Sequence, residues 1–156
     1  MIYKEEVRDL FSVPDDYYFV QCISGEFAMG KGIAVEFNKR FDMKNKLRKK
    51  YGDFTLYYEL SELNLIAGKW CLLEDKVFNL VIKEFDYDKP TFGNIELALY
   101  NMKLLCDKHE IHKLAVPSTI GSGLDRLQWG GVSETIKIIK EVFKDSNLEI
   151  LVCKKV

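Results

Sequence analysis

The sequence predicts an α/β domain with a mixed or largely parallel sheet held between helices. Three observations predict it. Strand-like and helix-like segments alternate through most of the 156 residues, which is how sheets covered by helices on both faces are built. Two of the strand-to-helix junctions carry glycines, around Gly30 and Gly32 and around Gly121 and Gly123. Length and a 47% apolar content are those of one domain, spanning 1–156, with a sizeable core.

Each element has its own signal. Ile2 to Val7 alternates weakly and reads as an edge strand, followed by a turn-like Arg8-Asp9-Leu10-Phe11 and by Pro14-Asp15-Asp16. Tyr17 to Ile23 is rich in aromatic and β-branched residues, as a buried strand should be. After Ser24-Gly25-Glu26, the run Met29 to Ala34 opens a helix that carries Val35, Phe37 and Phe41 inward. Asp42 to Tyr51 forms the next helix, with Met43, Leu47 and Tyr51 at i, i+4 and i+8. The segment Phe54 to Glu62 has no clear period. Gly68 to Glu74 and Lys76 to Lys83 read as two strands about a tight acidic turn, and Glu84 to Lys89 as a polar and aromatic loop. Pro90 disfavours helix before it and Thr91 can cap the next element, so a helix from Phe92 to His109 buries Ile95, Leu99, Met102 and Cys106. A strand over Ile111 to Val116, a helix over Gly130 to Lys144 and a last strand over Leu148 to Cys153 complete the chain.

Composition excludes several classes. A formal charge of -1 gives no global attraction to nucleic acid or membrane. No apolar run approaches the roughly 18 residues of a membrane span, and the acidic start lacks a signal-peptide pattern, so a cytoplasmic location is expected, extending to the nucleus in a eukaryotic source. The four cysteines have no close pairs, and His109 and His112 lack a third ligand of suitable spacing; neither a disulfide framework nor a metal site is expected, and no cofactor.

Charge is concentrated in one place. Lys39, Arg40, Lys44, Lys46, Arg48, Lys49 and Lys50 lie within twelve positions, offset by Asp42. Such a face is either simply solvated or meets nucleic-acid phosphates.

Ligands of α/β sheets sit outside the carboxyl ends of strands. Ser24 to Gly32, Lys83 to Lys89 and Ile120 to Asp125 all come after strands, so the three loops are expected around one cleft. Glycines before a helix let backbone N–H groups and the helix dipole face a diphosphate. Neither loop matches the P-loop or dinucleotide fingerprints. Lys83 is either the first solvated residue past a buried strand or, beside a diphosphate, a nucleophile toward a sugar C1 centre; Asp125 is either a turn acid or a carboxylate that moves its protons.

Cys22-Ile23-Ser24, Met29-Gly30-x-Gly32-Ile33-Ala34-Val35 and Ile120-Gly121-x-Gly123-Leu124-Asp125-Arg126-Leu127-Gln128-Trp129 resemble the ADP-ribose-binding macrodomain, in its terminal ADP-ribose protein glycohydrolase subgroup. Asp9-Leu10-Phe11 and Lys89-Pro90-Thr91 extend the resemblance over nearly the whole chain, and the Gly-Leu-Asp-Arg-Leu-Gln-Trp run is its most specific part. The resemblance implies a three-layer α/β/α macrodomain with a mixed central sheet and ADP-ribose across the strand ends. It implies that Asp9, with Leu10 beside it, receives the adenine amino group. Ser24, Met29, Gly30, Gly32, Ile33 and Ala34 match the loop around the distal ribose and phosphate; Ile120, Gly121, Ser122, Gly123 and Leu124 match the diphosphate loop. Lys83 matches the lysine that attacks C1 of the distal ribose, and Asp125 the acid that assists it and resolves the adduct.

Three departures from the family pattern stand out. Arg8 replaces a glycine before the adenine-binding acid; Pro117 to Ile120 is one residue longer; Glu84 replaces a basic neighbour of Lys83 and should favour its ammonium form unless burial opposes it. The activity implied is removal of mono-ADP-ribose from glutamate or aspartate esters on proteins. Two rivals are removal of ADP-ribose from modified DNA bases, motivated by Lys44, Lys46, Arg48, Lys49 and Lys50, and a reader that binds ADP-ribose without turnover.

Overall fold

A computed structural model describes residues 1–52, 70–121, 128–129 and 132–155. Among the described residues a six-stranded sheet carries two helices on each face. In chain order the strands are β1 (Ile2–Val7), β2 (Tyr18–Ser24), β3 (Trp70–Glu74), β4 (Val77–Lys83), β5 (Lys113–Pro117), the short β6 (Gln128–Trp129) and β7 (Val132–Ser133), and β8 (Glu149–Lys154). The helices are α1 (Ile33–Phe41), α2 (Met43–Tyr51), α3 (Phe92–His109) and α4 (Thr135–Phe143).

The main sheet runs β1-β8-β5-β2-β4-β3. Every neighbouring pair is parallel except β3 with β4, so the sheet is mixed, as expected. The antiparallel pair is joined by a tight turn at Asp75, whose φ of 52° is left-handed.

Period-two alternation divides the strand residues between two cores. Val20, Phe78, Leu80, Leu114, Val116, Ile150 and Val152 face α3 and α4, where they meet Ile95, Leu99, Met102 and Phe143. Phe19, Ile23, Val77, Val81, Ala115 and Leu151 face the opposite way, onto Phe37 of α1 and Met43 and Leu47 of α2. Phe37, Met43 and Leu47 are fully buried, each contributing about 1.5–3 kcal/mol by removal from water. Val35 and Phe41, expected inward, are only partly buried, and Phe41 packs at the edge of that core.

The helix ends obey local chemistry. Thr91 accepts the Asn94 N–H at 3.1 Å and starts α3, while Glu110 in the left-handed region closes it beyond Lys108 and His109. Asp42, also left-handed, breaks α1 from α2, and Asn38 accepts the Lys44 N–H across the break. One expectation fails at the C-terminal side. The helix over Gly130 to Lys144 begins only at Thr135, because Gln128–Trp129 and Val132–Ser133 pair as an antiparallel ladder first. Val132 and Trp129 therefore belong to that ladder and not to a helix start.

No helix among the described residues is long and apolar enough to cross a membrane.

Candidate functional site

The sheet opens where its central strands part. β2 pairs with β4 from Phe19 opposite Val77 to Ser24 opposite Lys83. It pairs with β5 only at Tyr18 and Phe19, although both strands run further. Beyond that point β2 and β5 leave a cleft at their carboxyl ends, the place where parallel sheets hold ligands.

A second irregularity sets the wall of the cleft. The β2–β4 register slips between Ile23 and Ser24, so that Ile23 faces Val81 and Ser24 faces Lys83. A bulge of this kind re-aims the last side chains of a strand. Here it sets Ser24 beside the lysine.

The cavity has a volume of about 690 Å³, within the range of small-molecule sites. Three loops surround it. From the first come Ser24, Ala28, Lys31, Gly32, Ile33 and Ala34; from the second Lys83 and Asp86 to Pro90; from the third Pro117, Thr119, Ile120 and Gly121. The first two loops are bound to each other. Gly25 N–H donates to the Lys83 carbonyl at 2.8 Å, and Asp86 N–H donates to Glu26 Oε1, also at 2.8 Å. Lys83 Nζ donates to the Asp86 carbonyl at 2.6 Å, and among the described residues it forms no ion pair with Glu84.

Gly32 and Gly121 are required by geometry. Gly32 has φ 60° and ψ -146°, open to glycine alone, and directly precedes α1. Gly121 has φ 73°, and a Cβ there would lie 2.3 Å from Thr135 Oγ1. The extra residue at Pro117 to Ile120 is taken up by a turn in which Ile120 N–H donates to Pro117 O at 3.0 Å. Burial pushes the Cys22 thiol up to about 12, against opposing pulls from the Gly121 N–H and Lys83, so it lies on the cavity wall as a neutral group.

Among the described residues, three buried side-chain atoms have no hydrogen-bond partner: Gln21 Oε1, Ser24 Oγ and Thr135 Oγ1. All three border this cleft, Gln21 and Ser24 in its lining and Thr135 against Gly121. Buried polar groups are nearly always paired, so three orphans around one cavity mark a place built for a polar ligand. Ser24→Ala should accordingly change the free energy of unfolding by less than about 1 kcal/mol, because the hydroxyl removed is unpaired. Urea denaturation checks this, and a loss well beyond it would mean the hydroxyl is already satisfied.

Not every expected residue lies in the cavity. Asp9 stands past the end of β1, three strands away from β2, and its carboxylate accepts the Phe11 N–H at 3.0 Å to cap a short 3-10 turn, Leu10–Ser12. Leu10 and Met29 are buried in the core beneath α1, and Gly30 is exposed beside the lining. Asp9 and Leu10 share the cavity's end of the sheet without touching it. Ser122, Gly123, Leu124 and Asp125 lie outside the described residues. Sequence reasoning missed Gln21, since an interior strand residue carries no motif of its own; Glu26 and residues 86–88 fall within the two loops expected at the cleft, although the sequence singles out neither as a site residue. Among the described residues no group of three or more His, Cys, Asp or Glu is placed to hold a metal.

The basic cluster is neutralised in part. Lys46 pairs with Asp75 and Lys50 with Glu74, while Arg40 reaches Glu36 and lies over the Phe11 ring at 4.2 Å. Arg48 donates to the Glu26 carbonyl at 3.3 Å, which fixes the helix against the first cavity loop. Arg8, at the departure before Asp9, is held by Glu6 and Ser12.

No family model matches the chain. The ADP-ribose glycohydrolase OARD1 of Bos taurus is 36% identical over 147 residues, covering 92% of this chain and 86% of that protein. The macrodomain of Mycobacterium tuberculosis DarG superposes with a TM-score of 0.71 at 17% identity, over 99% of each chain. Thermosipho africanus DarTG, solved in complex with ADP-ribose, gives a TM-score of 0.59 at 18% identity over 92% of this chain and 39% of that one.

Proposed function

Because this chain belongs to the macrodomain family, in the subgroup of the ADP-ribose glycohydrolases it matches, we propose that it binds ADP-ribose and hydrolyses ADP-ribosyl linkages, releasing mono-ADP-ribose from acidic side chains. The observation that carries this reading is the placement of Lys83 on the cavity wall beside the unpaired Ser24 hydroxyl.

The ligand would run across the strand ends. Its distal ribose lies by Ser24 and Lys83, its diphosphate between the start of α1 and the loop from Ile120 through Ser122, Gly123 and Leu124, and its adenine toward Asp9. Lys31 and the N–H groups of Ile33 and Ala34 favour negative charge at the helix start. From β4 to β1 is four strand spacings, roughly 19 Å at about 4.8 Å each, so the ligand must be extended.

Lys83 Nζ releases the Asp86 carbonyl and, as the neutral amine, attacks C1 of the distal ribose. The C1–N bond forms as the bond from C1 to the ester oxygen breaks, and the carboxylate leaves with the electron pair. Asp125 takes the proton lost by the amine. It then returns that proton to the nitrogen as water adds to C1 and the C1–N bond breaks, and takes up the proton the water loses, so that ADP-ribose and the neutral lysine are released and the proton on Asp125 is the one freed by hydrolysis.

The test is a release assay on glutamate-, serine-, arginine- and DNA-linked ADP-ribose. Release from glutamate above all others is expected, and Asp125→Ala should accumulate a lysyl adduct seen as a gain of one ADP-ribosyl group in the intact mass. ADP-ribose binding with no release from any linkage would make the protein a reader. A second reading, ADP-ribosylated DNA, is favoured by the contact of Arg48 with the cavity loop, but Lys46 and Lys50 are already paired with acids, leaving Lys39, Lys44 and Lys49 without an ion pair among the described residues. Faster release from DNA than from glutamate would establish it.

A further inference from the structure

The loop after Lys83 presents an aromatic face that the hydrolytic chemistry does not use. Tyr87 is 80% exposed, and its ring stacks on Phe85 with centroids 5.2 Å apart and planes 8° from parallel. The loop is held by its own backbone. Phe85 N–H donates to Asp88 Oδ2 at 3.0 Å, Asp88 N–H returns to the Phe85 carbonyl at 3.1 Å, and Glu26 and Lys83 both hold Asp86. A tyrosine so exposed is not there for the core, and a ring fixed by stacking loses little freedom when a partner lands on it.

Position says which part of a substrate reaches it. Asp86, Tyr87 and Asp88 line the cavity immediately past Lys83. Lys83 faces the bond to be broken, so this loop borders the side on which the leaving group departs. The group over Tyr87 therefore belongs to the molecule that carries the ADP-ribose. Charge says what kind of group it is. Residues 84–89 contain Glu84, Asp86 and Asp88 against Lys89. A phosphodiester strand would bring like charge to these carboxylates, whereas an ammonium or guanidinium gains both the ring face and the acids.

We propose that the Phe85–Tyr87 stack, with Asp86 and Asp88 beside it, docks a lysine or arginine of the modified protein, so that the enzyme prefers ADP-ribosylated acidic residues in basic sequence. The proposal rests on the hydrolase reading. It names the context of the substrate at the same site.

The experiment uses two ADP-ribosyl-glutamate peptides of equal length, one with arginine and lysine flanks and one with serine flanks, and an ADP-ribosylated DNA oligonucleotide. Binding and release are both measured, for wild type, Tyr87→Ala and Asp86→Asn, with free ADP-ribose titrated as a control. The basic peptide should show a KM lower by about three- to tenfold at similar kcat. That advantage should shrink with salt and vanish in both variants, the basic peptide losing several-fold more affinity than the serine-flanked peptide and free ADP-ribose measured on the same preparations. Equal KM for the two peptides in wild type, with release intact, overturns docking and leaves the hydrolase standing. Preference for DNA that is lost in Tyr87→Ala overturns it too, since the ring would then be stacking on a base. If nothing is released but the basic peptide still binds more tightly and only through Tyr87, the hydrolase reading fails and docking holds.

Discussion

Lys83→Ala should release ADP-ribose from a modified glutamate at least about a thousandfold more slowly than wild type, while free ADP-ribose binds within a few fold of its original affinity. The effect is differential. A nucleophile contributes to the transition state and little to the ground state, so its removal lowers kcat and spares binding. Lys83 is one member of a lining supplied by three loops, and the glycines, Ser24 and the α1 start that would hold ribose and phosphates are untouched by the change. The variant also frees the Asp86 carbonyl from the bond to Nζ, but the Glu26 contact to the Asp86 N–H and the Phe85–Asp88 bonds still hold that loop. Single-turnover release and calorimetry on the same preparation separate the two quantities. Turnover near the wild-type rate would remove the covalent route.

Gly121→Ala should cost on the order of 2–5 kcal/mol of stability, combining a backbone penalty of about 1–3 kcal/mol for φ 73° with the packing conflict at Thr135. The conflict is with one atom group. A Cβ at 121 would lie 2.3 Å from Thr135 Oγ1, 3.4 Å from its Cγ2 and 3.1 Å from its Cβ. Thr135→Ala removes the first two and leaves the third. The double variant should therefore lose clearly less than the sum of the singles, with the residual loss reporting mainly the φ strain. Chemical denaturation of the four proteins completes the cycle. Strict additivity would show that the loop shifts away from α4 instead of pressing on it.

Much of the fold is legible because its signals are local. The helix from Phe92 to His109 is bounded by Pro90 and Thr91 at one end and by a left-handed residue at the other, and the structure keeps the range that the sequence predicts. Val77 to Lys83 and the last strand are legible as strands from their apolar runs, while the division of their residues between two cores is seen in the structure. The three loops around one cleft result from strand direction, which a largely parallel sheet shares. What sequence could not supply is pairing. The slip at Ile23 and Ser24, and the early parting of β2 from β5, depend on which strand lies alongside and leave no mark in the residues themselves. The ladder at Gln128 to Ser133 has the same origin: Val132 fits the helical period of Ile136, Ile139 and Phe143, and cross-strand pairing overrides it. Asp9 illustrates a third limit, since its carboxylate serves a local cap in the free protein whatever ligand it later meets.

The parting of the two central strands also fixes how the cleft responds to a guest. Its floor is sheet, held on one side by the β2–β4 ladder and on the other by the β5–β8 ladder. A ligand settling there meets a surface already shaped, and little of its binding free energy goes into ordering those strands. The last residues of β2 carry, on the edge turned away from β4, backbone amides and carbonyls with no neighbour in β5. Phe19 and Gly25 donate their N–H groups toward β4, so by alternation the Cys22 N–H faces the open edge, and occupancy of the cleft can be detected without chemistry as slower amide exchange at Cys22.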